Sequence, residues 1–169
     1  MKRLAVFAIA VVATAGVWAI FAGSGTAQQP GGERTLNFTE RRGTFHYVDN
    51  TPRTRLRRGK RLFLSTGDTI VFTNALYDAT NTRRVGTIES VCVAVFGRRT
   101  FQRSRFACEG TARLPDGQLA LHSSFKGLGR SRVGTITGGT GSYEGTSGSF
   151  TSASGPKAKI SKDAFHLVR

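Results

Sequence analysis

The sequence predicts an all-β domain, a sandwich or a closed barrel, behind an N-terminal export signal. Three observations carry this expectation. Eight short stretches rich in Val, Ile, Thr and Phe follow one another at close spacing. The segments between them hold turn residues, and no convincing amphipathic helix separates them. Ahead of them all stands an apolar run flanked by basic residues on one side and small residues on the other.

That N-terminal run is the first element. Lys2 and Arg3 precede apolar residues 4–22, and Gly23, Ser24, Gly25, Thr26 and Ala27 follow. This is the charged, apolar, small-residue order of a secretory signal, with cleavage expected after Ala27 and a secreted, extracellular product. The run is also long enough to span a bilayer, so the alternative is a retained N-terminal membrane anchor. In both cases Lys2 and Arg3 hold the N-terminus inside and send the rest of the chain across. No Cys follows the run, which excludes a lipid-modified Cys at the cleavage site. Residues 28–34, with Pro30, Gly31 and Gly32, read as a flexible lead, and residues 35–169 as a single β domain.

The first strand is expected over 35–49, with Leu36, Phe38, Phe45 and Tyr47 as its apolar positions and a bend at Gly43. Residues 51–60 form a basic connection around Pro52; Arg53, Arg55, Arg57, Arg58 and Lys60 make it a solvated loop first and a binding patch second. Strands follow at 68–75, 85–96, 104–114 and 118–125, separated by turn chemistry at 78–84, 97–99 and Pro115-Asp116-Gly117. In 85–96 one face carries Gly86, Ile88, Ser90, Cys92, Ala94 and Phe96, and the other Val85, Thr87, Glu89, Val91, Val93 and Val95. Both faces are substantially apolar, as in a barrel with a core or pocket inside and neighbours or subunits outside, so a homo-oligomer, dimer or trimer, is expected.

The next strands, 133–137 and 146–151, flank Gly138, Gly139 and Gly141, which suit bulges and a corner between the two. A phosphate-cradling loop would need a helix N-terminus behind it and usually a Lys at its end, and neither is present. Gly145-Thr146-Ser147-Gly148-Ser149 lacks the final Gly and the helix of a nucleophile elbow. The last strand is expected over 160–168.

Cys92 and Cys108 are the only cysteines, lie in neighbouring strands and stand equidistant from a turn near Thr100. In an oxidising compartment a cross-strand disulfide is expected, with a free thiol facing a pocket as the alternative. The formal charge is +15, or +13 once Lys2 and Arg3 leave with the signal. Such a charge favours anionic surfaces and wall polymers as partners. Basic and aromatic residues do not interleave in a nucleic-acid motif, and export argues against a genomic target, so nucleic acid is not expected. His46, His122 and His166 are isolated, without metal-ligand spacing, and neither a metal nor another cofactor is expected.

Two motif blocks carry a family resemblance. Gly67-Asp68-Thr69-Ile70-Val71-Phe72-Thr73-Asn74-Ala75-Leu76-Tyr77, with Arg84-Val85-Gly86 and Val91-Cys92-Val93, forms the first; Ile136-Thr137-Gly138-Gly139-Thr140-Gly141 with Glu144-Gly145 forms the second. Together they resemble plant allene oxide cyclases, and the glycine corner and Tyr47-Val48-Asp49 also look like dirigent proteins of the same barrel superfamily. The resemblance runs from about Phe45 to Thr151. It implies an eight-stranded antiparallel β-barrel with a hydrophobic central cavity, often trimeric. Asn74 and Cys92 fall on cyclase pocket residues; Asp49 and Arg132 look like the inward Asp and the Arg of dirigent proteins. Tyr47 and Phe72 complete the pocket that the resemblance implies. The acid on the first strand of the cyclases is assigned no counterpart, since Phe45, His46, Tyr47 and Val48 stand around that position.

Three functions follow as expectations. The first is a secreted barrel holding a small hydrophobic or aromatic molecule in its lumen. The second is an isomerase, cyclase or dirigent-like stereochemical guide using Asp49, Arg132 and Asn74, in which a desolvated Asp–Arg pair protonates the ligand or holds an anion. The third is a basic surface-interaction protein without a ligand.

Overall fold

The computed structural model describes residues 32–50, 64–97, 101–127, 131–154 and 159–169. The signal or anchor at 1–27, most of the 28–34 lead and the basic connection at 51–60 lie outside the described residues. Among the described residues there are eight strands, β1 (Arg34–Val48), β2 (Thr69–Asp78), β3 (Arg84–Phe96), β4 (Arg105–Leu114), β5 (Gly117–Lys126), β6 (Ser131–Gly141), β7 (Ser147–Ser154) and β8 (Ile160–Val168), and a 3-10 turn at Phe101–Arg103. Each strand pairs antiparallel with the next and β8 returns to β1, so the sheet closes into an up-and-down barrel without a free edge. Among the described residues no helix is long and apolar enough to cross a membrane.

Closure divides the barrel into two ends. The β2–β3, β4–β5 and β6–β7 connections are short and form the floor. The opposite end is the mouth, where β1, β3, β5 and β7 end and residues 49–50, 64–68, 97, 101–104, 127 and 159 lie. Inside the floor, Leu76, Leu119, Ile136 and Phe165 are buried together with Tyr143 from the β6–β7 connection. Burying such side chains contributes about 1.5–3 kcal/mol each. A second cluster, of Leu64, Ile70, Ala94, Phe106 and the two cysteines, surrounds the mouth half.

Two expectations about strand extent are corrected. β2 runs on past Ala75 to Asp78, and β6 runs through the glycines to Gly141. Gly138 and Gly139 keep their ladder partners Ala120 and Leu119 after an irregularity at Ala120/Leu121, so this stretch is strand and bulge, and the corner follows it. The glycine at 139 is required by packing: a Cβ there would lie 2.4 Å from the carbonyl oxygen of Tyr143. In β3 the Ile88, Ser90, Cys92, Ala94 face points inward, while Val91, Val93 and Val95 lie on the exterior and remain exposed.

Cys92 and Cys108 are directly opposite across β3 and β4 and form a disulfide, which leaves neither cysteine as a free thiol.

Candidate binding site

Between floor and mouth the inward positions change from large and apolar to small or polar. On three adjoining strands, Arg132 of β6 stands opposite Ser152 of β7, and Ser152 stands opposite Asp163 of β8. Asp163 pairs in turn with Phe38 of β1, so Glu40, two residues along the same face, is its diagonal neighbour. Asn74 of β2 donates a short hydrogen bond to Glu40. The five side chains form a polar belt around half of the lumen.

A bulge places this belt. The β1–β2 register shifts between Arg41 and Thr44, so Glu40 pairs with Leu76 and Phe45 with Phe72, and the inward parity of β1 changes across it. Gly43 sits in the bulge, where a Cβ would lie 2.2 Å from the Thr73 carbonyl oxygen. Its backbone N–H donates to Asn74 Oδ1 at 2.9 Å, so the same Asn ties the bulge to the Glu40 carboxylate.

The belt is incompletely satisfied. Both carboxyl oxygens of Asp163, the Ser152 hydroxyl and Nε of Arg132 are buried without a hydrogen-bond partner of good geometry. Each such group costs about 1–3 kcal/mol, and native proteins hold few of them. Asp163 is only 3% exposed. Burial, and then the charge of Glu40, push its carboxyl up to about 7; the Ser152 hydroxyl and the Arg132 guanidinium oppose the shift without cancelling it. The shift favours the neutral carboxylic acid, a form able to donate a proton, over the carboxylate.

The belt borders two adjoining chambers. An inner one of about 40 Å³ is lined by Glu40, Ser123, Ser152 and Asp163, and an outer one of about 190 Å³ opens to the mouth between Phe45, Ile70, Asn74, Cys92 and Phe101. Phe72, Phe125 and Arg132 line both. The Arg132 guanidinium lies 5.3 Å from the Phe125 ring centroid, a cation–π contact that holds the cation against the aromatic wall.

Of the residues expected from sequence, Phe72, Asn74, Cys92 and Arg132 come together on these chambers. Cys92 does so as half of the disulfide and offers no thiol. Tyr47 packs against the mouth cluster, and its hydroxyl donates to Asp68 at 2.5 Å. Asp68 also accepts from the backbone N–H groups of Asn50 and Ser65, at 3.0 and 2.7 Å. Burial alone would raise the Asp68 carboxyl, but these hydrogen bonds hold it below its ordinary value; burial and the Asp68 charge push the Tyr47 phenol up. This network fastens the two sides of the β1–β2 connection. Asp49 lies just past β1 with one buried, unpartnered carboxyl oxygen. The ion pairs within 4 Å among the described residues are Arg113–Glu89 and His122–Glu109, and none joins Asp49 to Arg132. It is Asp163 that feels the Arg132 charge.

Glu40, Ser152 and Asp163 were not expected. The first strand does bring an acid into the lumen, Glu40, on the near side of the bulge, whereas the tetrapeptide 45–48 lies beyond it. A signal was available: Leu36, Phe38 and Glu40 share one face, as do Asp163, Phe165 and Leu167, and an acid in line with apolar neighbours at spacing two marks a carboxylate turned toward a core. Among the described residues no group of three His, Cys, Asp or Glu side chains could hold a metal ion.

Comparison of the fold with solved structures gives several barrels of this type. A pyocyanin demethylase superposes with a TM-score of 0.63 at 20% identity, covering 79% of this chain and 99% of the other. A pterocarpan synthase dirigent protein gives 0.62 at 13% identity, with 82% and 86% covered. An exo-specific intermolecular Diels-Alderase gives 0.58 at 12% identity, with 80% and 99% covered. No protein-family model and no curated protein sequence matches the chain.

Proposed function

We propose that this barrel binds a small aromatic or otherwise apolar molecule in its lumen, with the molecule's polar end on the Arg132–Ser152–Asp163 belt. The observation that carries the reading is the convergence, from three adjoining strands, of buried polar atoms without hydrogen bonds of good geometry on the inner chamber, beside the aromatic walls of Phe72 and Phe125. A ligand oxygen set there accepts from Arg132 and from protonated Asp163. Size narrows the class. A cavity of about 150 Å³ accommodates benzene, so an outer chamber of about 190 Å³ suits one or two fused rings better than a long acyl chain. The export signal expected at 1–27 makes this a ligand met outside the cytoplasm.

A second reading, isomerase or cyclase chemistry, is favoured by the Asp163 carboxyl at about 7 beside Glu40. Asp163 gives its proton to a ligand oxygen, the Arg132 cation steadies developing negative charge, and Asn74 orients Glu40 as the proton acceptor. Asp49 serves at most at the mouth. The names of the similar structures, a demethylase, a dirigent protein and a Diels-Alderase, are those of proteins with small-molecule chemistry in such barrels.

Titration with 2-naphthol, followed by its fluorescence, tests the binding reading. Saturable one-to-one binding is expected, weakened at least tenfold in Phe72→Trp, which fills the outer chamber, and in Arg132→Leu. Undiminished binding by Phe72→Trp would place the probe elsewhere and sink the proposal. For the second reading, 2-tetralone in deuterated buffer is expected to exchange its α-hydrogens faster with the wild-type protein than with Asp163→Asn; equal rates contradict it.

A further inference from the structure

The mouth rim carries a second surface that the lumen does not explain. Four apolar side chains stand exposed where strands reach it: Val48 at the end of β1, Val95 and Phe96 at the end of β3, and Ile160 at the start of β8, each 41–50% exposed. Exposed cations stand between them, with Arg103, Arg105 and Lys126 gathered beside Val95 and Phe96 around one shallow concavity and Lys159 next to Ile160. The acids are placed otherwise. Of the acids at the mouth, Asp68 is buried and engaged by Tyr47, Asn50 and Ser65, and Asp49 is half-buried with one carboxyl oxygen out of solvent. Asp78, Asp116 and Glu144 belong to the floor connections. The floor carries exposed cations as well, among them Arg83 and Arg84, but with these acids beside them, whereas the rim around the chamber opening combines its cations with exposed apolar side chains.

We propose that this rim docks on an anionic lipid bilayer, the apolar tips entering the interface and the cations meeting headgroup phosphates, so that the lumen opens toward the membrane. Cations alone would suit any polyanion. Exposed Val, Phe and Ile alternating with them gain only where an apolar phase lies beneath the charged layer. The attraction to anionic lipid falls off within a Debye length and weakens with salt, whereas the apolar contribution does not. This surface is independent of the ligand reading and stands or falls separately.

The test uses residues 28–169, because all eight strands of the described residues and the β1–β8 closure lie within Arg34–Val168. Co-sedimentation with vesicles of phosphatidylglycerol and phosphatidylcholine (1:1) is compared with phosphatidylcholine alone. Binding to the anionic vesicles is expected to be at least tenfold stronger. Arg105→Glu with Lys126→Glu should abolish most of it, and Phe96→Ser should reduce it several-fold even in 0.5 M NaCl, the melting temperature of each variant reporting that the barrel is intact. Arg83→Glu with Arg84→Glu, at the floor, should change it less than twofold. Equal losses from floor and rim variants would show attraction by net charge without a docking face and overturn the proposal. Binding to soluble heparin as tight as to vesicles, with Phe96→Ser without effect on either, would overturn it in favour of a polyanion.

Discussion

The floor and the mouth half of this barrel are built by the same eight strands with the same inward period, yet one is filled and the other is open. The inward positions decide this. Toward the floor they are Leu76, Leu119, Ile136, Phe165 and Leu167, closed from below by Tyr143. At the level of the belt they become Ser90, Gly110, Ser123 and Ser152, whose small volumes leave the inner chamber unfilled. Above it, Phe72, Phe101 and Phe125 form walls around the outer space. A step in side-chain size thus separates the part of the lumen that supplies stability from the part that can receive a ligand, and the belt lies at the step.

The contrast is broken most strongly at the floor. Phe165→Ala should destabilise the protein by about 3–5 kcal/mol in urea denaturation, because its ring is fully buried and packs edge-on against Phe38 and Phe150. Phe72→Ala, whose ring borders open space, should cost less than half as much. Next comes the belt. The Asp163 carboxyl is held at about 7 in the folded protein against an ordinary value of 3.8, so the folded state binds this proton more tightly than the unfolded chain. The stability it contributes is present below about pH 4 and is lost as pH rises through about 7. Asp163→Asn suffers no such loss and should gain up to about 4 kcal/mol relative to wild type between pH 4 and pH 8, read from urea midpoints at both pH values.

In the mouth half, replacing both cysteines by Ala should cost about 3 kcal/mol, the loop between Cys92 and Cys108 being short. Wild-type protein treated with reductant should show the same shift in melting. The smallest effect belongs to the exterior. Arg113 Nε lies 3.1 Å from Glu89 Oε2, with both side chains about half exposed. Arg113→Ala should change stability by less than about 1 kcal/mol, and that little should vanish in high salt.

Much of the fold could be read from local chemistry. Alternation and turn residues located all eight strands within a few positions, and the equal spacing of Cys92 and Cys108 from the β3–β4 turn anticipated their cross-strand pairing. The glycine corner was displaced because Gly138 and Gly139, without side chains, give no pattern by which ladder and turn can be told apart; only their pairing with Ala120 and Leu119 does. The site was less legible. Phe72, Asn74, Cys92 and Arg132 came from resemblance, while Glu40 and Asp163 drew no assignment although each stands in line with apolar neighbours at spacing two. Which face of a strand is inside depends on closure of the whole sheet, and in β1 the Gly43 bulge reverses the parity midway. Glu109 shows the limit from the other side: its partner is His122, with Nδ1 2.6 Å from Oε1, a cross-strand pairing that depends on the β4–β5 register.

The central claim is that the space between belt and mouth holds a small aromatic molecule by its polar end. Crystals of residues 28–169 soaked with 4-bromophenol and measured at the bromine absorption edge test it most directly. An anomalous peak is expected in the outer chamber against Phe72 and Phe125, with the phenol oxygen within hydrogen-bond distance of Arg132 or Asp163. Bromine found only on the exterior, with the lumen empty of the probe at saturating concentration, would contradict it.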